Sequence, residues 1–336
     1  MRPGIDFDET RTASHMPSQA GRRLLLAAAA SEGYAIESWD IPGAFMNSPN
    51  DPRFRVTMKQ PPMADGSYRA PGKVCVLRRA MPGDPAANAQ WDTWRDHWLS
   101  NWGWQKVLAE PSMFWTTTKN EVARMGADND DFLVTAPTQS DLDMLSEPVK
   151  KAWKIKIQKL SKEDPISTTI SRTERMPTIS KISSENIDAP MSFQHVGQKV
   201  EMLQCGGIQI SNPKIIQNLL AENDMLECNS KSTPYISSAD LSAWKMEEEQ
   251  ADTKDFQKSV GTLRFIAGTT HPAISWIVGV LGRHLHNPAP RHATALKSIR
   301  RFLSTRRNHG PKYDKKGPLE LTCYTDSDYA ADRDTG

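Results

Sequence analysis

Paired cysteines are missing from this sequence. Its 336 residues hold four, Cys75, Cys205, Cys228 and Cys323, and no two of them stand as CxxC. That spacing argues against a zinc site or a disulfide framework, and for a reducing compartment. Long hydrophobic runs are also missing. The longest near the C-terminus, residues 274–282, is about nine residues, too short for a bilayer core of roughly 30 Å. No signal-peptide pattern opens the chain, which therefore reads as soluble and intracellular. A dominant charge is missing too. The net charge is +2, so global charge argues neither for nor against a polyanionic partner. What is present suffices for a core, with 38% hydrophobic residues and ten tryptophans. The length suits two domains, or three small ones.

Local patterning alternates helix and strand. Residues 19–33, QAGRRLLLAAAASEG, predict a buried helix stopped by Gly33. Residues 34–41, YAIESWDI, have the aromatic and β-branched content of a strand. Further strands are expected over 54–62 and 73–80. Trp91, Trp94 and Trp98, spaced by three and four, mark an amphipathic helix within 85–104. Residues 111–118 and 124–137 read as strands around a tight turn. Residues 150–190 are rich in Lys, Ser and Thr, lack periodicity and are expected to be poorly ordered. A short hairpin and a helix from Pro213 follow, then a loop over 233–244. Residues 255–304 are helical with a break at His271-Pro272, and 319–336 read as a strand carrying Asp326.

The chemistry concentrates at ADNDDFLV, residues 127–134, where Asp130 and Asp131 run straight into an apolar strand. Carboxylates at such a lip are costly to desolvate unless something positive compensates them. A solvated surface turn is one reading. The other joins the pair to Asp40, at the end of an earlier strand: three carboxylates there can hold two Mg²⁺ ions about 4 Å apart for in-line phosphoryl transfer, with phosphate completing the metal shells. The histidines His284, His286 and His292 do not have a zinc spacing.

Motifs in order along the chain resemble the reverse transcriptase segment of copia-type LTR retrotransposon polyproteins. GIDFDET at 4–10 is similar to Gly-x-Asp-Tyr-x-Glu-Thr, and WDIPGAFMNSPND at 39–51 to Asp-x-x-x-Ala-Phe-Leu-Asn. EPSMFW at 110–115 is similar to Asp-Pro-Ser-Leu-Phe, and DNDDFLV at 128–134 falls on the Tyr-Val-Asp-Asp box. GGIQISNPKIIQNLL at 206–220, CNSKSTP at 228–234 and SVGTLRFIAGTTHPAI at 259–274 resemble further blocks, and YTDSDYAADRDTG at 324–336 the first strand of a tethered RNase H domain.

The resemblance implies an α+β right-hand polymerase. Residues 1–150 would be an N-terminally truncated fingers and palm, and 151–235 a variable connection and thumb entry. Residues 236–318 would be a helical thumb and connection, and 319–336 the start of a truncated RNase H domain. Asp40, Asp130 and Asp131 fall on the family's catalytic metal ligands, for Mg²⁺ or Mn²⁺. Phe45 falls on the residue beneath the incoming sugar. Asp326 falls on the first RNase H carboxylate, whose partners would lie beyond Gly336, so RNase H activity is expected to be absent. The implied partners are an RNA template, a DNA primer and deoxynucleoside triphosphates. The implied location is a cytoplasmic element particle or the nucleus, neither secreted nor membrane-bound.

Departures from the family pattern point to a degenerate fragment. Asp128-Asn129 replaces Tyr-Val, which adds like charge beside the pair unless metal compensates it. Met81-Pro82-Gly83 replaces Leu-Tyr-Gly, introducing a proline that cannot donate to a ladder. The basic fingers strand would lie before residue 1. Between 283 and 316, ten Lys and Arg face Asp314 alone. Lys297, Arg300, Arg301, Arg306 and Arg307 are expected to form a basic helix face for a template–primer backbone. Two readings stay open: RNA-directed DNA synthesis, weak or lost, and a catalytically dead remnant with at most nonspecific nucleic-acid binding.

Overall fold

The Leu/Ala-rich stretch folds into helix α1 (Gln19–Glu32). The Ser18 side chain accepts from the Gly21 N–H at its start, and Gly33, at φ 71°, closes it through the carbonyls of Ala29 and Ala30. The structure, a computed structural model, describes residues 14–50, 56–119, 121–162, 191–235, 241–315, 319–320 and 322–325. The fold is α+β, in two units, residues 1–159 and 160–336.

In the first unit, α1 is followed by β1 (Ala35–Asp40), the short helix α2 (Ala44–Asn47), β2 (Thr57–Lys59) and β3 (Val74–Val76). Next come α3 (Ala87–Asn101), β4 (Gln105–Lys106), β5 (Met113–Thr118), β6 (Glu121–Asp128), β7 (Asp131–Ala136), α4 (Gln139–Trp153) and β8 (Lys156–Lys159). A six-stranded antiparallel sheet runs in the order β4-β5-β6-β7-β1-β8, while β2 and β3 pair by themselves.

Period-two alternation divides the sheet into two buried faces. Trp39, Phe132, Ala127, Val134 and Met125 occupy one face and pack with Trp91 and Leu99 of α3 and Leu142, Val149 and Trp153 of α4. The opposite face is covered by α1, whose buried stripe is Arg22, Leu25, Leu26 and Ala29. A Cβ on Gly126 would sit 3.8 Å from Leu25. Arg22 pairs with Asp128 at one end of β6, and Glu32 with Arg124 at its middle. Ten helical residues rise about 15 Å and four strand residues span about 13 Å, so both pairs close together.

The second unit contains β9 (Ser161–Lys162), β10 (Met191–His195), β11 (Gln198–Met202), β12 (Ile208–Ser211) and α5 (Pro213–Ala221). It continues with α6 (Thr253–Thr269), α7 (Ser275–Gly282), α8 (Pro290–Leu303) and β13 (Lys312–Tyr313). Its antiparallel sheet runs β13-β12-β11-β10-β9. Its core joins Ile216 and Leu220 of α5 to Leu263 of α6, Ile277 and Leu281 of α7, and Ile299 of α8. The helical break at His271-Pro272 is a single 3₁₀ turn, Pro272–Ile274.

Several expectations need correction. Pro82 sits in no ladder. The Asp84 N–H donates to the Met81 carbonyl (3.0 Å) and Gly83 has φ 92°, so Pro82-Gly83 is a tight turn into α3, where a missing N–H costs nothing. Residues 150–162 are structured as the end of α4, β8 and β9; the rest of the stretch expected to be poorly ordered, 163–190, lies outside the described residues. No strand occurs among the described residues of 319–325, and Asp326 lies outside them. Among the described residues no helix is long and apolar enough to cross a membrane.

Candidate active site

Asp40 ends β1 directly opposite Asp131, which begins β7. One step further, the Ile41 N–H donates to the Asp130 carbonyl (2.9 Å). Because antiparallel pairs alternate, a bonded pair at 41/130 makes 40/131 a non-bonded pair, with Cα atoms about 4.5 Å apart and both side chains on one face. Asp128 stands opposite Asp131 on the other side. Asp40, Asp131 and Asp128 thus form a row across three strands, on the face that α1 covers. Asp40, Asp130 and Asp131 are half-buried, whereas Asp128 is buried.

Asn129 and Asp130 form the two-residue turn between β6 and β7. Asn129 has φ 56°, a left-handed conformation that asparagine tolerates. Trp91 of α3 donates from Nε1 to the Asn129 carbonyl (2.7 Å), which pins the turn from below. The like charge of Asp128 is compensated within the chain. Arg22 donates from Nε to Oδ2 (2.9 Å) and from Nη2 to Oδ1. This corrects the expectation that Asp128 would need a metal: a two-point guanidinium fork satisfies it.

The β8 strand adds a cation, because Lys156 stands opposite Asp40 with Nζ 3.9 Å from Oδ2. Phe45 lies in α2, half-buried against the Trp39 face of the core, five residues beyond Asp40. Gly43, at φ 64°, lets the chain turn between them.

Among the described residues no three His, Cys, Asp or Glu side chains converge as a closed metal cage. The donor set nevertheless suits a hard dication. Mg²⁺ in nucleotide sites is held by one or two carboxylates plus substrate phosphates, in place of an all-protein shell. Asp40 and Asp131 are such a pair, both with exposed surface and with only oxygen donors.

The five basic residues are placed differently from the expected open face. Arg300 is buried, with Nη2 on the Ser259 hydroxyl (2.5 Å). Arg301 donates to the Asn229 carbonyl (2.5 Å), and Arg307 to those of Ser304 and Leu226. Arg306 donates to the carbonyls of Lys231 (3.1 Å) and Phe302 (2.8 Å) and lies over the Phe302 ring. Three of the five therefore hold the backbone around α8, and Arg300 bonds a side chain inside the fold. Lys297 is the exposed member.

Comparison with known proteins adds to this geometry. A family model for reverse transcriptase (RNA-dependent DNA polymerase) matches residues 1–166. Those residues belong to the reverse transcriptase family. The likeness continues beyond them. The chain is 26% identical over 333 residues to the retrovirus-related Pol polyprotein from transposon RE1 of Arabidopsis thaliana, covering 99% of this chain and 20% of that protein. It is 24% identical over 344 residues to the Pol polyprotein from transposon TNT 1-94 of Nicotiana tabacum, covering 99% of this chain and 23% of that protein. The chain thus spans about a fifth of the length of these curated relatives, and its likeness to copia-type polyproteins runs through both units.

Three residues around the reverse transcriptase box escaped sequence reasoning. Arg22 carried a signal: a guanidinium on the same helical stripe as Leu25, Leu26 and Ala29 needs a buried acid. Trp91 read as core alone, since a tryptophan at helical spacing does not announce where its N–H goes. Lys156 lay in a stretch that reads as a polar connection.

Proposed function

We propose that the chain is the polymerase segment of a copia-type retrotransposon polyprotein and performs RNA-directed DNA synthesis at Asp40, Asp130 and Asp131. The observation that supports this is the register setting Asp40 opposite Asp131, beside the turn carrying Asp130. The substrates are a primer strand on an RNA template and deoxynucleoside triphosphates. The reaction joins the primer 3′-oxygen to the α-phosphorus and expels pyrophosphate. A divalent ion, when bound, would supply charge neutralisation at that phosphorus.

Asp40 and Asp131 would hold that ion, with Asp130 at the adjoining turn as the further carboxylate. The Arg22–Asp128 pair keeps this fourth carboxylate out of the reaction. Phe45 lies under the sugar of the incoming nucleotide, where its bulk excludes a 2′-hydroxyl. Residues 1–150 serve as fingers and palm, 151–235 as connection and thumb entry, and 236–318 as thumb. Residues 319–336 begin an RNase H domain.

Primer extension on an RNA template in Mg²⁺ or Mn²⁺ tests the reading. Asp131→Asn is expected to lower extension by a hundredfold or more, in the range typical of losing one preorganised electrostatic partner. Extension that survives both Asp131→Asn and Asp40→Asn would overturn it. A folded protein that binds the hybrid without extending it would leave the remnant reading in its place.

A further inference from the structure

A cavity of ≈ 530 Å³ opens in the second unit between α8 and the turn after α5. Its size lies within the roughly 300–1,000 Å³ of small-molecule sites. Lys297, Arg300 and Arg301 line one side, and Asp224 is the one carboxylate of the lining among the described residues. Met225, Cys228 and Ala293 supply an apolar wall.

Arg300 is the unusual group. It is 8% exposed, and burial holds its pKa below the usual arginine value. Among the described residues no carboxylate hydrogen-bonds it, and Asp255 acts on it only at longer range, against the effect of burial. Its Nη2 donates to the Ser259 hydroxyl (2.5 Å), and its Nε has no hydrogen-bond partner among the described residues. A buried cation ordinarily has an anion against it. Arg301, engaged at Nε by the Asn229 carbonyl, and the exposed Lys297 extend the positive side. Two guanidinium groups and an ammonium are the donor set that suits a phosphate group. The apolar wall suits a sugar or base attached to it.

We propose that this cavity binds a nucleoside phosphate, either free or as the phosphorylated end of a strand. The occupant is a discrete phosphate-bearing group seated in a pocket; a backbone lying along an open face would need Arg300 on the surface. The proposal stands on the second unit alone and does not depend on the polymerase reading.

The test is calorimetric titration of the full chain with inorganic phosphate, adenosine monophosphate and adenosine, at low and moderate salt. Saturable one-to-one binding of the monophosphate is expected, weakening as salt rises, with inorganic phosphate weaker and adenosine undetectable. Lys297→Met and Arg301→Met are each expected to weaken monophosphate binding about tenfold, the scale of a lost charge-assisted hydrogen bond. Asp131→Asn should leave binding unchanged, which separates this site from the polymerase centre.

Oligonucleotides with and without a 5′-phosphate distinguish the sources. A phosphorylated end binding tighter than the monophosphate assigns the site to strand ends; the reverse order assigns it to free nucleotides. Adenosine binding as well as its monophosphate would overturn the proposal. So would unaltered affinity in Lys297→Met and Arg301→Met proteins whose melting temperatures match the parent.

Discussion

Arg22 and Asp128, 106 residues apart in sequence, form a buried two-point ion pair beside the proposed catalytic carboxylates. A charge pair out of water depends on both members being present. Arg22→Met is expected to cost about 3–5 kcal/mol because it strands the Asp128 carboxylate. Adding Asp128→Leu should restore most of that stability. Urea unfolding of the single and double variants measures both steps. A double variant no more stable than Arg22→Met would show that the pair is not the cause.

Lys156 competes with any cation at Asp40, since its ammonium stands 3.9 Å from Oδ2 on a side chain that is 73% exposed. In Lys156→Met the affinity of the site for Mg²⁺ or Mn²⁺ should rise by roughly two- to fivefold, a modest change because solvent screens the pair. Titration with Mn²⁺ followed by its paramagnetic resonance reads this. Weaker binding in the variant would contradict the competition.

Trp91 holds the turn through one hydrogen bond to the Asn129 carbonyl. Trp91→Phe keeps most of the ring packing and removes the donor. It is expected to cost about 1–2 kcal/mol, hydrogen bond and lost volume together. Amide exchange at residues 128–131 should accelerate more than in the strands behind them. Uniform acceleration across the sheet would mean that the ring's volume matters and its N–H does not.

The second unit should weaken in mild acid. Burial pushes the His292 imidazole below its usual pKa, and the neighbouring His284, stacked at 3.9 Å, acts in the same direction. Burial does the same to His271. The Ala289 N–H donates to His292 Nδ1, and Nε2 donates to the Ser242 carbonyl, which fixes a neutral ring. A base with a depressed folded pKa takes its proton more readily when unfolded. Stability is therefore complete above the unfolded value near ~6.5 and falls as pH drops from there toward the lower folded values. Urea midpoints between pH 8 and pH 5 should follow that course, with a shallower slope in His292→Gln. A midpoint that rises on acidification would refute it.

Local chemistry explains which parts of this architecture were readable. The stop at Gly33, the strand ending in Asp40 and the hairpin at Asn129 each rest on neighbours a few positions away, so their signals stand in the string. The pairing of β8 with β1 does not, because Lys156 and Ile157 find their partners more than a hundred positions earlier. Helix α4 was hidden by Pro148 in its interior and by polar residues in its first turn. The arginines around α8 misled for a different reason: helical spacing reports where a side chain starts, whereas Arg301, Arg306 and Arg307 turn back to carbonyls of their own fold. Arg22 was legible only in half, as a charge that needed an acid, with nothing local to say which one.

The two charge pairs between α1 and β6 carry a last consequence. Side chains of a strand change faces with every residue. If β6 slid by one position, Asp128 would turn toward α3 and α4 while Arg22 stayed on the other side, and Arg124 would leave Glu32 in the same movement. Both losses would fall on the misaligned state and none on the aligned one. Helix α1 thus acts as a gauge on strand alignment, rejecting the neighbouring settings of β6 and thereby keeping Asp131, the first residue past the turn, level with Asp40.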